Sequence, residues 1–406
     1  MCKHLTICKG ENETMSRDLT EEEVGIPDIN FAYGVNAYVV PPRVQSARRG
    51  FFESSISKLD LIATEDSAVI ELARKQKEAG LGVICDGTLR WGNNPIAFFA
   101  GFDGVHELIA PPGPYFSGDL LSAKSVALDG PIGGSSHPVI TDFRILNTQA
   151  NPGVVAKQVL FAPSLMLAEL MLGAPRKRHV YQYPSSDAMA DALVEAYRTI
   201  LDELYTVGCR YVQFDDSSWN NLADQERYEG LGIEQEDAQA LCALYASTNK
   251  RALEKIPHDM AICWRIVRED YHTTARYEKS YAEVAPYFFD QENVCAFSVP
   301  QRDASDDLSW LSQIPRGARL VLELASTRDE ERIDERRVSA LVENAARYVE
   351  RDLIGIALGF ESNIVDEGKP HACHCHSQEE LDDTPDKLET AQWHKISELA
   401  EAARKL

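Results

Sequence analysis

The stretch GCRYVQFDDSSWN, residues 208–220, decides the fold. Its run Arg210–Phe214 is short and mostly apolar, which is typical of a buried parallel strand. A helix pattern over Asp187–Val207 precedes the run and ends at a glycine. An acidic pair, Asp215 and Asp216, closes the strand. The stretch therefore predicts one helix-and-strand unit with polar side chains at the strand's carboxyl end.

The same unit recurs along the chain, with short apolar runs separated by helix patterns; one such helix is predicted over Tyr277–Phe289. The predicted strands lie near Phe31–Tyr38, Gly82–Cys85, Val155–Phe161, Arg210–Phe214, Met260–Trp264, Val294–Val299, Leu320–Leu324 and Leu353–Leu358. Eight such units predict an α/β fold, a single (β/α)8 TIM barrel.

One long interruption of this pattern follows the second predicted strand. Residues 91–142 are rich in Gly and Pro and irregular, which predicts an insertion that covers the barrel mouth. Residues 1–30 are polar and predict an N-terminal arm. Residues 31–406 are then expected to form the barrel as one domain.

Composition excludes several classes of function. The 406 residues include 41 Lys and Arg against 64 Asp and Glu, a net charge of −23, which argues against binding to nucleic acid or anionic membranes. The most apolar region, Leu160–Leu172, is too short and too interrupted, by Glu169 among others, to span a membrane. No secretory signal is visible, and nine thinly spread Cys favour a reducing compartment. We therefore expect a cytoplasmic protein with a small-molecule substrate; the sequence does not indicate its oligomeric state.

Polar side chains gather at the carboxyl ends of the predicted strands, where the chemistry of such barrels takes place. They are Asp86, Asp215, Asp216, Trp219, Cys263, Arg265, Glu323 and Glu361. Clustered carboxylates repel one another, so some are expected to have raised pKa values or to hold a cation. The alternative is that each acidic residue caps the helix that follows it.

A second candidate site is the segment HACHCH, residues 371–376. His371, Cys373 and Cys375 are ligand types that zinc prefers, so the segment predicts a metal site. The alternative is a solvent-exposed loop with incidental metal affinity. The Gly-rich segment GPIGGSS, residues 130–136, lacks the Lys of a phosphate-binding loop, and no nucleotide cofactor is predicted.

Residues 65–406 resemble the cobalamin-independent methionine synthase family, in particular its short single-barrel members. The resemblance lies in EAGLGVICDGTLRW (residues 78–91), GCRYVQFDD (residues 208–216), and GFESNIVDEG (residues 359–368) followed by a long last helix. It implies a methyl-transferring enzyme in which Asp215 binds the amino group of an amino-acid substrate.

The same resemblance implies a catalytic zinc, bound by His-x-Cys after the fifth strand, Glu after the sixth and Cys after the eighth. These positions read Ala261–Cys263, Val299–Pro300 and Leu358–Phe360 here, so only Cys263 is retained. One thiolate cannot hold a tetrahedral zinc. Either the HACHCH segment supplies replacement ligands beside Cys263, or zinc is not used and the carboxylates perform acid/base chemistry.

The sequence therefore predicts a divergent methionine-synthase-like transferase that transfers or eliminates a small alkyl group on a thiol or amino-acid-like substrate. Asp86 and Glu323 are the expected acid/base groups, Asp215 binds the substrate cation, and Cys263 is a residual ligand or a nucleophile. Residues expected to contact substrate are Arg265, Asp216, Trp219 and Glu361. Two alternatives stay open: a zinc-free lyase or decarboxylase-type barrel, and a non-catalytic ligand-binding barrel or complex subunit.

Overall fold

Seven parallel strands form one sheet at the centre of the protein. The computed structural model describes residues 38–91, 95–110, 114–116, 124–173, 176–272, 277, 279–301, 307–326, 334–359 and 384–403. The strands are β1 Val83–Ile84, β2 Asp103–Ile109, β3 Lys124–Gly133, β4 Val155–Phe161, β5 Tyr211–Asp216, β6 Ala261–Ile266, β7 Ala296–Pro300, β8 Arg319–Ser326 and β9 Ile354–Gly359. The large sheet has the order β1–β4–β5–β6–β7–β8–β9, and every neighbouring pair is parallel.

The sheet curls around an interior, because residues from both of its ends meet there. Val83 on β1 and Ala357 on β9 belong to one buried apolar cluster that also includes Tyr211 and Val321. This curled parallel sheet confirms the predicted α/β barrel. Seven predicted strands are confirmed to within two residues at each end. The other, Phe31–Tyr38, lies outside the described residues except for Tyr38.

Helices surround the sheet, as their amphipathic patterns require. They are α1 Pro42–Phe52, α2 Lys58–Glu78, α3 Pro95–Phe99, α4 Pro138–Asn147, α5 Pro163–Ala168, α6 Ser186–Thr206, α7 Gln225–Gly230, α8 Gln235–Ala252, α9 Ala285–Phe288, α10 Glu335–Ala345 and α11 Thr384–Ala403. In α6 the buried side chains Leu193, Tyr197, Ile200 and Leu204 form the predicted stripe, and the Ser185 hydroxyl accepts a hydrogen bond from the backbone at the helix start. In the described part of the chain, no helix is both long and apolar enough to cross a membrane.

The helix predicted over Tyr277–Phe289 is wrong in length, since α9 covers only four residues. The backbone of the earlier part pairs instead with the loop after β6. The Arg268 guanidinium donates to the carbonyls of Tyr277 and Lys279, each at 3.0 Å, and the Tyr277 amide donates to the Arg268 carbonyl. The carbonyl groups that would accept the first hydrogen bonds of the helix are therefore bound to Arg268 instead.

The segment between β1 and β4 contains the predicted insertion, but its interior is more regular than expected. Strands β2 and β3 form a two-stranded antiparallel sheet, with His106 opposite Ala127. The sequence signal was weak because only Val105 is buried on β2. Pro95 and Tyr115 from this segment contribute to cavities at the carboxyl end of the barrel.

Candidate functional site

A cavity lies at the carboxyl ends of the barrel strands. It encloses about 450 Å³, including space open to solvent. Its lining residues are Thr88, Pro95, Phe161, Leu165, Asp215, Ser217, Arg265, Val267, Glu269 and Tyr271. Phe161 is the last residue of β4, and Asp215 and Arg265 lie opposite each other near the ends of β5 and β6. This is the face on which barrels of this type carry their active sites.

Arg265 joins two predicted site residues above the barrel interior. Its Nε and Nη2 donate to Glu323 Oε1 and Oε2 at 2.6 and 2.9 Å, and its Nη1 donates to Asp215 Oδ2 at 3.1 Å. All three side chains are buried. The structure thus brings Asp215, Arg265 and Glu323 together. The guanidinium is bound to carboxylates of the protein itself, whereas the sequence predicted contact with a substrate anion.

Further hydrogen bonds extend this group around the barrel. Gln213 Nε2 donates to Asp215 Oδ1 at 2.7 Å, and Lys157 Nζ donates to Gln213 Oε1 at 2.8 Å. On the other side, Ser298 Oγ donates to Glu323 Oε1 at 2.8 Å. The chain of bonds runs from β4 to β8. Because every member is fixed by a neighbour, the Asp215 carboxylate is held in one orientation at the cavity wall.

The electrostatics of the cavity favour a cationic ligand. Burial raises the pKa of Asp215, and the charge of Arg265 opposes that rise. Burial opposes the charge on Arg265, but Glu323 and Asp215 raise its pKa above the ordinary value. A further buried carboxyl group, Glu269, also lines the cavity. Among the described residues, two carboxyl groups and one guanidinium line this cavity, and the guanidinium is already bound to Asp215 and to Glu323, which does not line it.

Asp86 lies just beyond the end of β1, two residues before the cavity-lining residue Thr88, and does not itself line the cavity. Its side chain is 2% exposed, and Oδ1 accepts a hydrogen bond from the Thr88 amide at 3.0 Å. Oδ2 is buried and has no hydrogen-bond partner among the described residues. Burial raises the pKa of Asp86. Gly87 and Thr88 have φ of +65° and +53°, so two successive left-handed residues form this turn.

Cys263 is in the barrel interior, two residues before Arg265 on the same strand. It is 1% exposed and packs in the apolar cluster with Ala296, Val321 and Ala357. Burial raises the pKa of its thiol to about 12, so the thiol is neutral at physiological pH. Cys263 does not line the cavity.

The described residues do not fit a zinc site of the kind that the family resemblance implies. Within the parts of the chain that the structure covers, no group of three or more His, Cys, Asp or Glu could hold a metal ion. The neighbours of Cys263 in its cluster are mostly apolar. The remaining predicted ligands, His371, Cys373 and Cys375, lie outside the described residues, as does the predicted substrate contact Glu361.

Asp216 and Trp219, two predicted substrate contacts, are placed away from the cavity. The Asp216 carboxylate is fully buried and accepts hydrogen bonds from side chains and one backbone amide. The donors are Ser164 Oγ at 2.9 Å, Ser218 N at 3.0 Å, Ser218 Oγ at 2.6 Å, Trp219 Nε1 at 2.8 Å and Trp264 Nε1 at 3.1 Å. Burial raises the pKa of Asp216, and these bonds oppose the rise. The arrangement fixes the turn that follows β5.

The sequence did not indicate a buried group of four residues, Tyr271, His272, Glu169 and Ser125, which reaches the cavity through Tyr271. Tyr271, which lines the cavity, donates from its hydroxyl to Glu169 Oε2 at 2.5 Å, and His272 Nε2 lies 2.9 Å from the same oxygen. Ser125 Oγ donates to Glu169 Oε1. Glu169 begins a π-helical turn directly after α5 and is fully buried. The available signal was a carboxylate inside the most apolar run of the chain, which is costly unless partnered.

The comparisons with known proteins begin with sequence. No family model matches the chain. The uncharacterized protein YxjH of Bacillus subtilis is 26% identical over 332 residues, which cover 80% of this chain and 86% of that protein. The uncharacterized protein YxjG of the same organism is 25% identical over 323 residues, covering 79% and 84%.

Solved structures share the fold. A Listeria monocytogenes protein, provisionally assigned as a vitamin-B12-independent methionine synthase, has a TM-score of 0.69 at 23% identity, covering 93% of this chain and 98% of that one. A B12-independent methionine synthase from Shewanella, in complex with selenomethionine, has a TM-score of 0.60 at 17% identity, covering 86% and 90%. A methyltransferase from Methanosarcina mazei has a TM-score of 0.50 at 12% identity, covering 95% and 96%. The chain therefore has the barrel fold of methionine-synthase-like and methyltransferase structures.

Proposed function

We propose that the protein is a methionine-synthase-like transferase that moves a small alkyl group, a methyl group in the simplest case, to or from the sulfur of an amino-acid-like substrate. The observation that carries the proposal is the position of Asp215, whose carboxylate lines the cavity at the end of β5 and is held there by Gln213 and Arg265. On this fold, a fixed carboxylate in that position suits the ammonium group of an amino acid.

The remaining wall of the cavity matches the rest of such a substrate. Phe161, Leu165 and Val267 provide an apolar part of the cavity wall. A thioether or thiol side chain is soft and largely apolar, and it packs well against such residues. Selenomethionine, the ligand of the Shewanella relative, combines this kind of side chain with an ammonium group. The cavity chemistry therefore supports sulfur-containing amino acids as the first ligands to test.

The residues around the cavity would divide the work as follows. Arg265 and Glu323 position Asp215, and their own bonds make them part of the scaffold of the site. Methylation of a thiol forms an S–C bond, breaks the bond from the methyl group to its donor and releases the thiol proton. The acid/base group that we assign to proton movement is Asp86, because one of its oxygens is buried without a hydrogen-bond partner among the described residues.

Calorimetric titration with methionine and selenomethionine tests the binding step. We expect binding by the wild-type protein and at least about tenfold weaker binding by Asp215→Asn, since the variant loses the charge that pairs with the ammonium group. Asp202→Asn is the matched control, because Asp202 is exposed on α6 and the change in net charge is the same. Equal affinities for the two variants, or no binding by the wild type, would contradict the proposal.

The transfer step is tested separately with thiol-bearing amino acids and a panel of methyl donors, with the methylated thiol measured by mass spectrometry. A lyase or decarboxylase reaction is the second candidate. It is favoured by the Asp86 oxygen that has no hydrogen-bond partner among the described residues, because metal-free acid/base chemistry needs such a group. That reaction would yield fragments of a single substrate and need no donor. Binding without turnover under every donor would favour the non-catalytic barrel.

A further inference from the structure

A second cavity adjoins the first one. It encloses about 250 Å³, including open space, and shares Leu165, Ser217 and Tyr271 with the first cavity as a common wall. The residues that line the second cavity alone are Tyr115, Asn220, Asn221, Arg227 and Asp270. Its lining is thus more polar than that of its neighbour. Among the described lining residues there is one Arg, Arg227, which lies on α7.

Arg227 provides a positive charge in the wall of this second cavity. Its side chain is half-buried, and Nη2 donates to the Asn221 side-chain oxygen at 3.4 Å, a long and weak contact. Among the described residues, no carboxylate oxygen lies within 4.0 Å of its guanidinium. Arg90 and Arg265, by contrast, each have carboxylate partners. In a chain with a net charge of −23, an arginine of this kind beside a cavity is available to an outside anion.

The acidic groups near Arg227 are engaged by other partners. Asp224, at the start of the same helix, accepts from the Arg227 backbone amide at 3.1 Å and pairs with Lys279 at 3.3 Å. Glu226 pairs with Lys279 at 3.1 Å. Asp270, which also lines this cavity, accepts from the His272 amide at 2.7 Å. These bonds leave the Arg227 guanidinium as the group that can form a strong new ion pair.

We propose that the second cavity is an anion subsite, in which Arg227 binds a carboxylate or phosphate group of a second substrate while the first cavity holds the amino-acid substrate by its ammonium group. The guanidinium presents its donors in a planar fork that matches two oxygens of either anion. The shared wall then sets the two ligands side by side at the carboxyl ends of the strands. The subsite itself does not depend on the proposed function, which supplies only the identity of the first ligand.

Tyr271 fixes the boundary between the two ligands. Its hydroxyl is bonded to Glu169 at 2.5 Å and lies 3.3 Å from the Tyr115 hydroxyl, so the ring cannot turn freely. Burial and the charge of Glu169 raise the pKa of Tyr271, which keeps the hydroxyl protonated. The phenol is therefore a neutral partition that does not compete with the anion for Arg227.

The experiment is a calorimetric titration with inorganic phosphate and with glutarate at constant ionic strength, which distinguishes phosphate from carboxylate recognition. We expect the wild type to bind at least one of these anions and Arg227→Gln to bind it at least about tenfold more weakly. Arg227→Lys keeps the charge without the fork and is expected to lie between the two. Arg144→Gln, which removes an exposed arginine of α4, is the matched control and should resemble the wild type.

Two further titrations separate this proposal from the preceding one. Methionine should bind Arg227→Gln as it binds the wild type, and the anion should bind Asp215→Asn without loss. The inference is overturned if neither anion binds the wild type, if Arg227→Gln and Arg144→Gln bind it equally, or if methionine and the anion displace each other. Failure of methionine to bind, with anion binding through Arg227 intact, would overturn the proposed function alone.

Discussion

Arg265 and Glu323 are joined by two parallel hydrogen bonds, at 2.6 and 2.9 Å, although strand β7 lies between their strands β6 and β8. Side chains of both residues are almost completely buried. A buried ion pair with paired donors and acceptors contributes little net stability compared with apolar residues, but it becomes costly when one partner is removed. The pair also holds the Asp215 carboxylate in place, because Arg265 Nη1 donates a hydrogen bond to it.

Glu323→Gln should therefore destabilise the protein strongly. The variant leaves Asp215 as the one described carboxylate hydrogen-bonded to the Arg265 guanidinium, and we expect a loss of about 3–5 kcal/mol in the free energy of unfolding. Urea denaturation measures this loss. Glu78→Gln, which removes the exposed pair Arg74–Glu78, is the control and is expected to cost less than about 1 kcal/mol. Similar losses of unfolding free energy for the two variants would show that the Arg265 guanidinium is not buried beside Glu323 as the structure indicates.

The sequence predicted the strand ends well, because buried parallel strands leave continuous apolar runs that end in polar residues. Asp215, Arg265 and Glu323 were found in this way. Their mutual pairing was not predictable, since it depends on which inward positions of β6 and β8 face each other across β7. For the same reason the sequence could not show that Asp216 turns away from the cavity, although it is the next residue after Asp215.

The contacts of Glu169 could not be predicted from the sequence, for a different reason. Its partners Tyr271 and His272 are more than 100 residues away along the chain, and Ser125 lies on the insertion. No local pattern connects such positions. In the sequence Glu169 is visible only as an interruption of an apolar run, and the free-energy cost of burying its charge is the one sign that partners must exist.

Cys263 should be unreactive in the folded protein. Its thiol is buried and its pKa is raised to about 12, so almost no thiolate is present at pH 8. We expect iodoacetamide to leave Cys263 unmodified in the native state and to label it after unfolding in urea, as peptide mass spectrometry would show. Rapid native labelling would indicate that the barrel interior opens to solvent, which would restore Cys263 as a nucleophile or ligand.

Metal analysis of purified protein tests the role of Cys263 in a zinc site. Cys295 is the other thiol in its cluster, but no group of three or more His, Cys, Asp or Glu among the described residues could hold a metal ion, so we expect Cys263→Ala to leave any zinc content unchanged. Cys373→Ala is the companion variant, because that residue belongs to the HACHCH segment. A loss of zinc in both variants would support a rebuilt site that joins the two positions and would contradict our expectation.

His137 predicts a specific dependence of stability on pH. The imidazole is buried, its Nε2 contacts the Phe98 carbonyl at 2.9 Å, and its Nδ1 accepts from the Val139 amide at 3.2 Å. Burial lowers its pKa from 6.5 to about 4. The unfolded chain therefore takes up a proton at a higher pH than the folded chain, and stability is lost as the pH falls from 6.5 towards 4.

Comparison with His137→Asn isolates this contribution, because Asn also accepts the bond at the start of α4 but does not titrate. The difference in unfolding free energy between wild type and variant should shrink by up to about 3 kcal/mol between pH 7.5 and pH 4. Urea denaturation at several pH values measures it. A difference that stays constant over this range would mean that the folded state accepts the proton on His137 as readily as the unfolded state does.

Glu169→Gln should disturb the partition between the two cavities. The fully buried carboxylate accepts bonds from Tyr271 and Ser125 and contacts His272, so its charge is matched by three polar groups on two separate segments. The amide keeps the size of the side chain but replaces one acceptor oxygen by a donor, which leaves a buried donor facing a donor. We expect a loss of about 2–4 kcal/mol in the free energy of unfolding.

Tyr271→Phe is the matched comparison for Glu169→Gln, because it removes one of these bonds and leaves the carboxylate with Ser125 and His272. It should cost about 1 kcal/mol. The ratio of the two losses, measured by urea denaturation, shows whether the Tyr271 hydroxyl or the Glu169 carboxylate holds the shared wall in place. If Tyr271→Phe costs as much as Glu169→Gln, the hydroxyl alone holds the wall, and the buried carboxylate contributes no more than a single acceptor. If Glu169→Gln costs more, as we expect, the charge of Glu169 organises the loop after β6 and thereby the boundary at which the two proposed ligands would meet.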